Sequence, residues 1–384
     1  MGAATRDGAT TRDGATVIER VEVFGYELRY AHGAYVMSSG RVVERLPSTV
    51  VRITTRDGTQ GYGEACPLGP TYLPAFAGGV RAALAELAPA LVGIDAADLA
   101  TVTREMDRVL AGQEAAKSAI DVACWDVLGR STGQPVARLL GGVLQAELPL
   151  YVAIPLGDPT AMAAFVERER AGGIRRFQLK LGADPAADAA RAAAVVAATG
   201  PGDEIIGDAN GAWRRQDAII AARLTERLER FRLEQPCPTL EECLAVRRIT
   251  TLPMVLDEVI TDLPTLVRAV SADAMDHVNL KIGRVGGLTR ARPMRDAAIQ
   301  LGLRLTIEDS WGGDIVTAAV AALAAATPPE SLFAVSFMND WTLEHVAGYQ
   351  PRSAAGVGPV PTGPGLGIEV DADLLGAPLL TAGR

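Results

Sequence analysis

The sequence of 384 residues lacks several features that would point to particular classes of protein. It has no run of basic residues, and its formal net charge of −9 argues against nucleic acid as a partner. No apolar run reaches membrane-spanning length, and the N-terminus lacks the apolar core of a signal peptide, so we expect a cytoplasmic protein with no membrane partner. The four cysteines show no CxxC or Cys/His spacing, which favours isolated buried thiols over zinc sites or disulfides.

The chain divides into four segments. A polar repeat, Thr-Arg-Asp-Gly-Ala-Thr at 5–10 and again at 11–16, predicts a disordered extension over residues 1–16. Alternating apolar and polar residues predict antiparallel strands after Val17, and helical patterns follow over 80–145, so we expect an α+β domain at 17–147. Residues 148–350 are predicted to form a second domain, and the Gly- and Pro-rich segment 351–384 is predicted to pack back on the first.

Four charged residues stand at nearly even intervals in the second domain, each at the end of a short apolar run: Asp208, Glu234, Asp257 and Lys281. The gaps of 26, 23 and 24 residues match one strand, one helix and two loops of a parallel α/β barrel. Further strands are predicted at 148–153, 176–180, 304–308 and 332–336, which completes eight. The fold class is therefore predicted to be α/β, with a closed parallel barrel of the TIM type.

A charge at the C-terminal end of a barrel strand faces the mouth, where the active sites of such barrels lie. Three carboxylates on adjacent strands supply hard oxygen ligands and would repel one another without a divalent cation. Asp208, Glu234 and Asp257 are therefore candidate ligands of Mg²⁺. The alternative is that they are helix caps or ion-pair partners at strand ends.

The motifs at these positions resemble those of the enolase superfamily. They are Asp-Ala-Asn-Gly at 208–211, Glu-Gln-Pro at 234–236, Asp-Glu at 257–258 and Asn-Leu-Lys at 279–281. The resemblance runs over nearly the whole chain from Val17. It implies a (β/α)7β barrel with an N-terminal α+β capping domain, Mg²⁺ as cofactor, and abstraction of the α-proton of a carboxylate substrate through an enediolate.

The resemblance also assigns the proton-transfer groups, Lys281 on one side of the substrate and Lys180 on the other. A lysine base must be neutral, and desolvation together with a nearby metal cation favours that form. The sequence departs from the family at Gln178, where related chains carry a second lysine two residues before Lys180. Lys180 is therefore open to interpretation as base, acid or electrostatic support, while Gln178 is predicted to hydrogen-bond the substrate carboxylate.

The subgroup follows from the scarcity of histidine. Mandelate racemase-like members use a histidine on the seventh strand, but His32, His277 and His345 all lie away from its end at Glu308. The muconate-lactonizing-enzyme subgroup fits instead. Within it, the sequence 307–315 resembles members that act on proline derivatives, as do residues 71–75 and the loop Ser38-Ser39-Gly40-Arg41.

Four substrate-binding residues are predicted on this basis: Asp309, Trp311, Tyr72 and Tyr35. Asp309 is predicted to pair with a cationic ring nitrogen, and Trp311 or Trp341 to offer it an aromatic face. The alternatives are that Asp309 caps the next helix and that Trp311 is packing. Tyr35 lies in a loop expected to close over the site.

The implied reaction is dehydration of cis-3-hydroxy-L-proline to Δ1-pyrroline-2-carboxylate, with 2-epimerisation possible from the same intermediate. Alternatives are epimerisation of proline or hydroxyproline betaine and N-acylamino-acid racemisation. Dipeptide epimerisation is disfavoured because Asp-x-Asp is missing at the eighth strand. A different class of hypothesis is a catalytically silent barrel with a binding role, favoured only by Gln178. The expected partner is a small amino-acid carboxylate, and a homo-oligomer is expected from the family.

Overall fold

The structure is a computed structural model that describes residues 14–36, 40 and 42–384. Most of the N-terminal repeat, and Ser38, Ser39 and Arg41 of the predicted cap loop, lie outside the described residues. Among the helices of the described chain, none has both the length and the apolar character needed to cross a bilayer.

The first domain contains an antiparallel sheet with helices packed on one face. Its elements are β1 (Ile18–Arg29), β2 (Tyr35–Val36), β3 (Val42–Val43), β4 (Arg45–Thr55), β5 (Gln60–Ala65), α1 (Ala77–Leu91), α2 (Leu99–Val109), α3 (Glu114–Thr132) and α4 (Val136–Leu139). The long strands β1 and β4 pair antiparallel, and β5 extends the sheet after a turn at 56–59. Apolar side chains of α1 and α3 meet those of the sheet in one buried core.

The second domain is a parallel barrel. Its elements are β6 (Glu147–Pro149), β7 (Tyr151–Ile154), α5 (Pro159–Ala171), β8 (Arg176–Lys180), α6 (Pro185–Ala197), β9 (Glu204–Asp208), α7 (Arg215–Thr225), β10 (Phe231–Glu234), α8 (Leu240–Arg247), β11 (Met254–Leu256), α9 (Leu263–Ser271), β12 (His277–Lys281), α10 (Ile282–Val285), α11 (Leu288–Gln300), β13 (Arg304–Glu308), α12 (Asp314–Ala325) and β14 (Leu332–Val335). Neighbouring strands pair from β7 to β14, and a bridge between Leu150 and Val335 closes the ring.

The predicted fold class is confirmed. Eight parallel strands alternate with helices, and the eighth strand is followed by a short 3-10 helix (Met338–Trp341) rather than a barrel helix. Several helices begin as their sequence predicts. Asp158 precedes α5 and Asp184 precedes α6, and each accepts hydrogen bonds from backbone N–H groups of the first turn. A proline follows each aspartate, and no helical hydrogen bond is lost there because the first N–H groups of a helix have no partner within it.

Two strand predictions need correction. The sequence predicts one strand over residues 148–153. In the structure, β6 lies outside the barrel and pairs antiparallel with β15 (Val357–Pro359), and the first barrel strand begins only at Tyr151. Pro149 has no backbone N–H to donate to a neighbouring strand, and after it the chain stops pairing with β15 and begins to pair with β8. Asp257 was predicted to end a strand but lies one residue beyond β11.

The C-terminal segment returns to the first domain. After β15, its last strand β16 (Leu380–Gly383) pairs antiparallel with β1 and completes the four-stranded sheet in the order β16-β1-β4-β5. On the way, the backbone N–H of Leu366 donates to Asp126 of α3 at 2.8 Å. The segment therefore contacts both the sheet and a helix of that domain.

Carboxylates of the first domain cap two helices of the barrel. Helices α11 and α12 begin after Gly287 and Gly313, which have no side chain to accept from the free amides. Asp121 accepts from the N–H of Thr289 at 3.0 Å, and Glu64 accepts from the N–H groups of Gly313 and Val316 at 2.9 and 3.1 Å. A Cβ on Gly287 would lie 2.3 Å from Asp121 Oδ2, so glycine is needed for this approach.

Candidate active site

Strand register places the predicted residues side by side at one end of the barrel. Lys180 pairs in register with Asp208, and Asp208 with Glu234, on strands β8, β9 and β10. Asp257 directly follows β11, and Lys281 ends β12. Because adjacent strands lie about 4.8 Å apart, these side chains form one contiguous charged row.

Each predicted metal ligand is buried and already contacts a donor. Lys180 Nζ lies 2.6 Å from Asp208 Oδ2, and Lys281 Nζ lies 2.8 Å from Asp257 Oδ2. Glu234 is fully buried and accepts from Asn279 Nδ2 at 3.0 Å. The carboxylates are therefore satisfied by cations and amides of the protein itself.

The charges of this row shift one another's ionisation. Burial and the neighbouring charges of Asp208 and Asp257 raise the pKa of Glu234 well above its usual value. Burial opposes the charge of Asp257 as well, but Arg284, whose Nη1 lies 2.5 Å away, and Lys281 outweigh it and lower the pKa of Asp257 to about 2. Burial and like charge therefore oppose ionisation more at Glu234 than at Asp257.

The three carboxylates are hard oxygen donors of the kind that a divalent cation prefers, but their side chains do not converge on a common point. Within the described chain, no three acidic, histidine or cysteine side chains converge in metal-binding geometry. Asp208 and Asp257 turn toward the lysines instead. Three buried carboxylates whose mutual repulsion raises the pKa of Glu234 are the donors that Mg²⁺ prefers, so their role as ligands stays a supported prediction.

The two lysines flank the carboxylates. Lys180 is on the second strand of the barrel and Lys281 on the sixth, so four of eight positions separate them and they face each other across the mouth. Both are buried, with 5% and 7% of their surface exposed. A substrate carbon held between them would have one amine on each side.

The expectation that desolvation together with a metal cation keeps a lysine base neutral stays a prediction, and the carboxylates beside the two lysines act against it. Burial favours the uncharged form of Lys180, but the charge of Asp208 outweighs it, and the pKa of Lys180 lies above its usual value. For Lys281 burial is likewise outweighed, chiefly by Asp257, and its pKa is well above its usual value. A second cation that engaged each carboxylate would weaken its stabilisation of the charged lysine.

Two family models match the chain. Residues 21–141 match the N-terminal domain of mandelate racemase/muconate lactonizing enzyme, and residues 161–374 match the enolase C-terminal domain-like model. The chain belongs to the enolase superfamily. The family predicted from the motifs is thereby confirmed.

Relatives within the superfamily cover almost the whole chain. The chain is 45% identical over 362 residues to cis-3-hydroxy-L-proline dehydratase from Roseibium aggregatum. This alignment covers 94% of the chain and 98% of the relative. A solved structure of mandelate racemase/muconate lactonizing enzyme from Roseovarius nubinhibens ISM has a TM-score of 0.92 at 38% identity and covers 96% of this chain and 99% of its own. A second structure from that organism, complexed with magnesium, has a TM-score of 0.92 at 34% identity and covers 96% and 100%.

Lysine usage in this superfamily member singles out the same two residues. Of 37 lysines and arginines in the sequence, only Lys117, Lys180 and Lys281 are lysines. Arginine cannot lose its proton in proteins, whereas a lysine can. A chain that uses arginine almost everywhere has therefore kept two of its three lysines at the barrel mouth.

The predicted substrate-binding residues are brought to the mouth in different ways. Gln178 lies at the cavity wall, and its Nε2 donates to Glu234 Oε2 at 3.2 Å. The hydroxyl of Tyr72 donates to Glu258 at 2.6 Å, and Lys281 Nζ lies 5.8 Å from the centre of its ring. Both residues face the charged row.

Tyr35 and Trp311 join Trp341 in an aromatic wall. Ring centres are 5.3 Å apart for Tyr35 and Trp311 and 5.5 Å for Trp311 and Trp341, both edge to face. Trp311 is only 2% exposed. The wall lines the cavity, and most of the Trp311 surface is packed, so packing describes this residue and its role toward a substrate stays a prediction.

Asp309 also lines the cavity, but its oxygens are engaged by the backbone. Oδ1 accepts from Ser310 N at 2.6 Å and Oδ2 from Gly283 N at 2.9 Å. Burial raises the pKa of Asp309 to about 6. The alternative that Asp309 caps the following helix is wrong, because Glu64 accepts from the first amides of α12.

Sequence reasoning gave no role to several residues that the fold brings to the mouth. Glu308 accepts from Asn279 Nδ2 at 2.9 Å, from Lys281 Nζ at 3.2 Å and, through a short contact, from the hydroxyl of Tyr151. Glu308 ends the seventh strand as Asp208 and Glu234 end theirs, which is a usable signal. Tyr151 near the start of β7 has no such signal.

Two of the cavities that the described residues form share Asp309 at the barrel mouth. The smaller, of about 30 Å³, is lined by both lysines, Gln178 and the aromatic wall. The larger, of about 590 Å³, lies between the capping domain and the barrel loops and is mainly apolar, with Asp309 and Ser310 shared between the two. The smaller cavity is lined by the two lysines predicted to move a proton, and the larger one is not.

Proposed function

We propose that this chain is an Mg²⁺-dependent enzyme that removes the α-proton of a small cyclic amino acid and dehydrates cis-3-hydroxy-L-proline to Δ1-pyrroline-2-carboxylate. The observation that carries the proposal is the pair of buried lysines facing each other beside three buried carboxylates. The substrate is supported by 45% identity over nearly the full length to the Roseibium aggregatum dehydratase.

Asp208, Glu234 and Asp257 would hold the magnesium ion. Bound there, it would supply positive charge that stabilises the negative charge developing on the substrate carboxylate as the α-proton leaves. The same charge would engage Asp208 and Asp257, whose contacts with Lys180 and Lys281 favour the charged form of each lysine.

The lysines would then carry the proton transfers. One amine takes the α-proton as the C–H bond breaks, and the electron pair expels the hydroxyl from C3, which leaves as water with a proton given by the ammonium group of the opposite lysine. The resulting enamine tautomerises to the cyclic imine. The amine on the opposite side accounts for 2-epimerisation, because it can return a proton to the other face.

A second candidate substrate is a proline betaine. The observation in its favour is the aromatic wall of Tyr35, Trp311 and Trp341, since aromatic faces attract quaternary ammonium groups. Its α-proton chemistry would use the same lysines. Assembly into a homo-oligomer remains an expectation from the family.

The test uses the scarcity of lysine. Lys281→Arg keeps a cation beside Asp257 but cannot become neutral, and Lys117→Arg makes the same change in the capping domain. With Mg²⁺ and cis-3-hydroxy-L-proline in deuterated water, we expect imine formation and α-proton exchange in the wild type and in Lys117→Arg. In Lys281→Arg both should fall by roughly a thousandfold or more.

Two outcomes would contradict the proposal. Exchange that survives in Lys281→Arg would show that this lysine is not an essential base. A wild type that neither dehydrates the substrate nor exchanges the α-proton of any proline derivative would favour a silent barrel.

A further inference from the structure

The barrel mouth divides into two halves with different chemistry. Strands β9, β10 and the end of β11 carry the three predicted metal ligands, and the lysines stand on β8 and β12. The remaining strands are β13, β14 and β7. A substrate whose carboxylate lies on the ligand side, with its α-carbon between the lysines, turns its nitrogen and ring toward this other half.

Two acidic side chains of the described chain line the small cavity in that half, Glu308 and Asp309. The oxygens of Asp309 accept from the backbone N–H groups of Gly283 and Ser310. Glu308 instead receives side-chain donors, Asn279 and Lys281 on Oε1 and the hydroxyl of Tyr151 on Oε2. The cation of a substrate is therefore better matched by Glu308 and its tyrosine than by Asp309.

Tyr151 lines the cavity beside Glu308. It is 8% exposed and lines the cavity together with both lysines. A tyrosine hydroxyl has one proton, and here that proton is donated to Glu308. Toward the substrate the oxygen offers only lone pairs, and donation to a carboxylate makes it a stronger acceptor.

We propose that Tyr151, polarised by Glu308, accepts a hydrogen bond from the protonated ring nitrogen of the substrate and so selects amino acids that carry an N–H. This inference rests on the proposed function and specifies its substrate class. A secondary ammonium can donate to Tyr151, whereas a quaternary betaine nitrogen cannot. Tyr151 is then a specificity-determining residue, which the backbone-bound Asp309 is not.

The experiment compares ligands that differ at the ring position of the nitrogen. L-Proline carries an N–H cation, tetrahydrofuran-2-carboxylate replaces it with a neutral oxygen, and N,N-dimethyl-L-proline keeps the charge without a donor. Binding of each is measured by calorimetry with saturating Mg²⁺, for the wild type, Tyr151→Phe and Tyr62→Phe. Tyr62 lies in the sheet of the capping domain, where its hydroxyl contacts Gln60, and serves as the matched control.

We expect Tyr151→Phe to weaken L-proline binding by roughly ten- to a hundredfold, as for a hydrogen bond to a charged group. Binding of tetrahydrofuran-2-carboxylate and of the dimethylated ligand should change by less than about threefold, and Tyr62→Phe should change none. Glu308→Gln provides a second variant with a correctly shaped side chain, and it should lower affinity for L-proline more than for the neutral ring. Thermal unfolding confirms that each variant is folded.

Three results would overturn the inference. Equal loss for all three ligands in both variants would show a structural role for Tyr151. Unchanged L-proline binding, with the dimethylated ligand bound as tightly by the wild type, would assign cation recognition to the aromatic wall. A wild type that binds none of the ligands with Mg²⁺ would instead defeat the proposed function on which the inference rests.

Discussion

Replacing Glu64 by glutamine should destabilise the protein although the residue lies outside the barrel. Glu64 is 2% exposed and accepts four hydrogen bonds, from Tyr26 at 2.8 Å, Ser48 at 2.7 Å, Gly313 N at 2.9 Å and Val316 N at 3.1 Å. Glutamine keeps one carbonyl oxygen, which can retain the first three donors. Its amide nitrogen would then face the N–H of Val316, and two donors cannot bond.

The magnitude follows from these contacts. A buried donor left without an acceptor costs about 1–3 kcal/mol. Losing a negative charge at the N-terminus of α12 costs about 0.5–1 kcal/mol more. Burial opposes the charge of Glu64 and raises its pKa, so removing that charge returns part of the cost. We expect a net loss of about 2 kcal/mol in the free energy of unfolding at pH 7.

Chemical unfolding followed by circular dichroism measures this loss. Glu86→Gln is the matched control, because Glu86 is an exposed residue of α1 in the same domain. It should stay within about 0.5 kcal/mol of the wild type. If Glu64→Gln were as stable as Glu86→Gln, the cap from the first domain would not hold α12.

Three further predictions concern the other cap and the metal. Burial raises the pKa of Asp121 to about 6, so the folded protein binds its proton more tightly than the unfolded chain does. Wild-type stability should therefore fall as pH rises from about 4 to 6, by up to roughly 3 kcal/mol from this residue, and Asp121→Asn should lack that part of the slope in unfolding titrations. Gly287→Ala should lower the free energy of unfolding by about 3 kcal/mol, because the new Cβ would clash with Asp121 and the backbone has a positive φ of 108°. The control Gly302→Ala, with a φ of 77° and open space around the Cβ, should lower it by about 1 kcal/mol. Equal losses in the two variants would refute the clash. Mg²⁺ at about a hundred times its dissociation constant should stabilise the wild type and Glu86→Gln by about 2.7 kcal/mol in thermal scans, and an undiminished effect in Asp257→Asn would remove this residue from the ligand set.

The regular spacing made most of the barrel predictable. Strand-end charges such as Asp208 and Lys281 recur once per strand and helix, and the parallel register places each beside a charged residue of an adjacent strand, Asp208 beside Lys180 and Lys281 beside Glu308. The break at Pro149 was missed because β6 pairs with residues more than 200 positions later. A local pattern of apolar residues carries no information about which partner a strand chooses.

The residues of the candidate site could be predicted only where a charged residue lies at the end of a barrel strand. The contact of Tyr151 with Glu308 joins residues 157 positions apart, and the contact of Glu64 with Gly313 joins residues 249 positions apart. Neither has a sequence signature. The contacts of the two lysines were also beyond reach, because they depend on which carboxylate oxygen each amine meets.

The pairing of β16 with β1 has a consequence for how the chain folds during its synthesis. Residues 20–23 are made early, but their partners at 380–383 are made some 360 positions later. Every barrel strand leaves the ribosome before that partner does. We therefore infer that the barrel can close before β16 has paired with β1 at the edge of the N-terminal sheet. The domain that is synthesised first is then the one that is completed last.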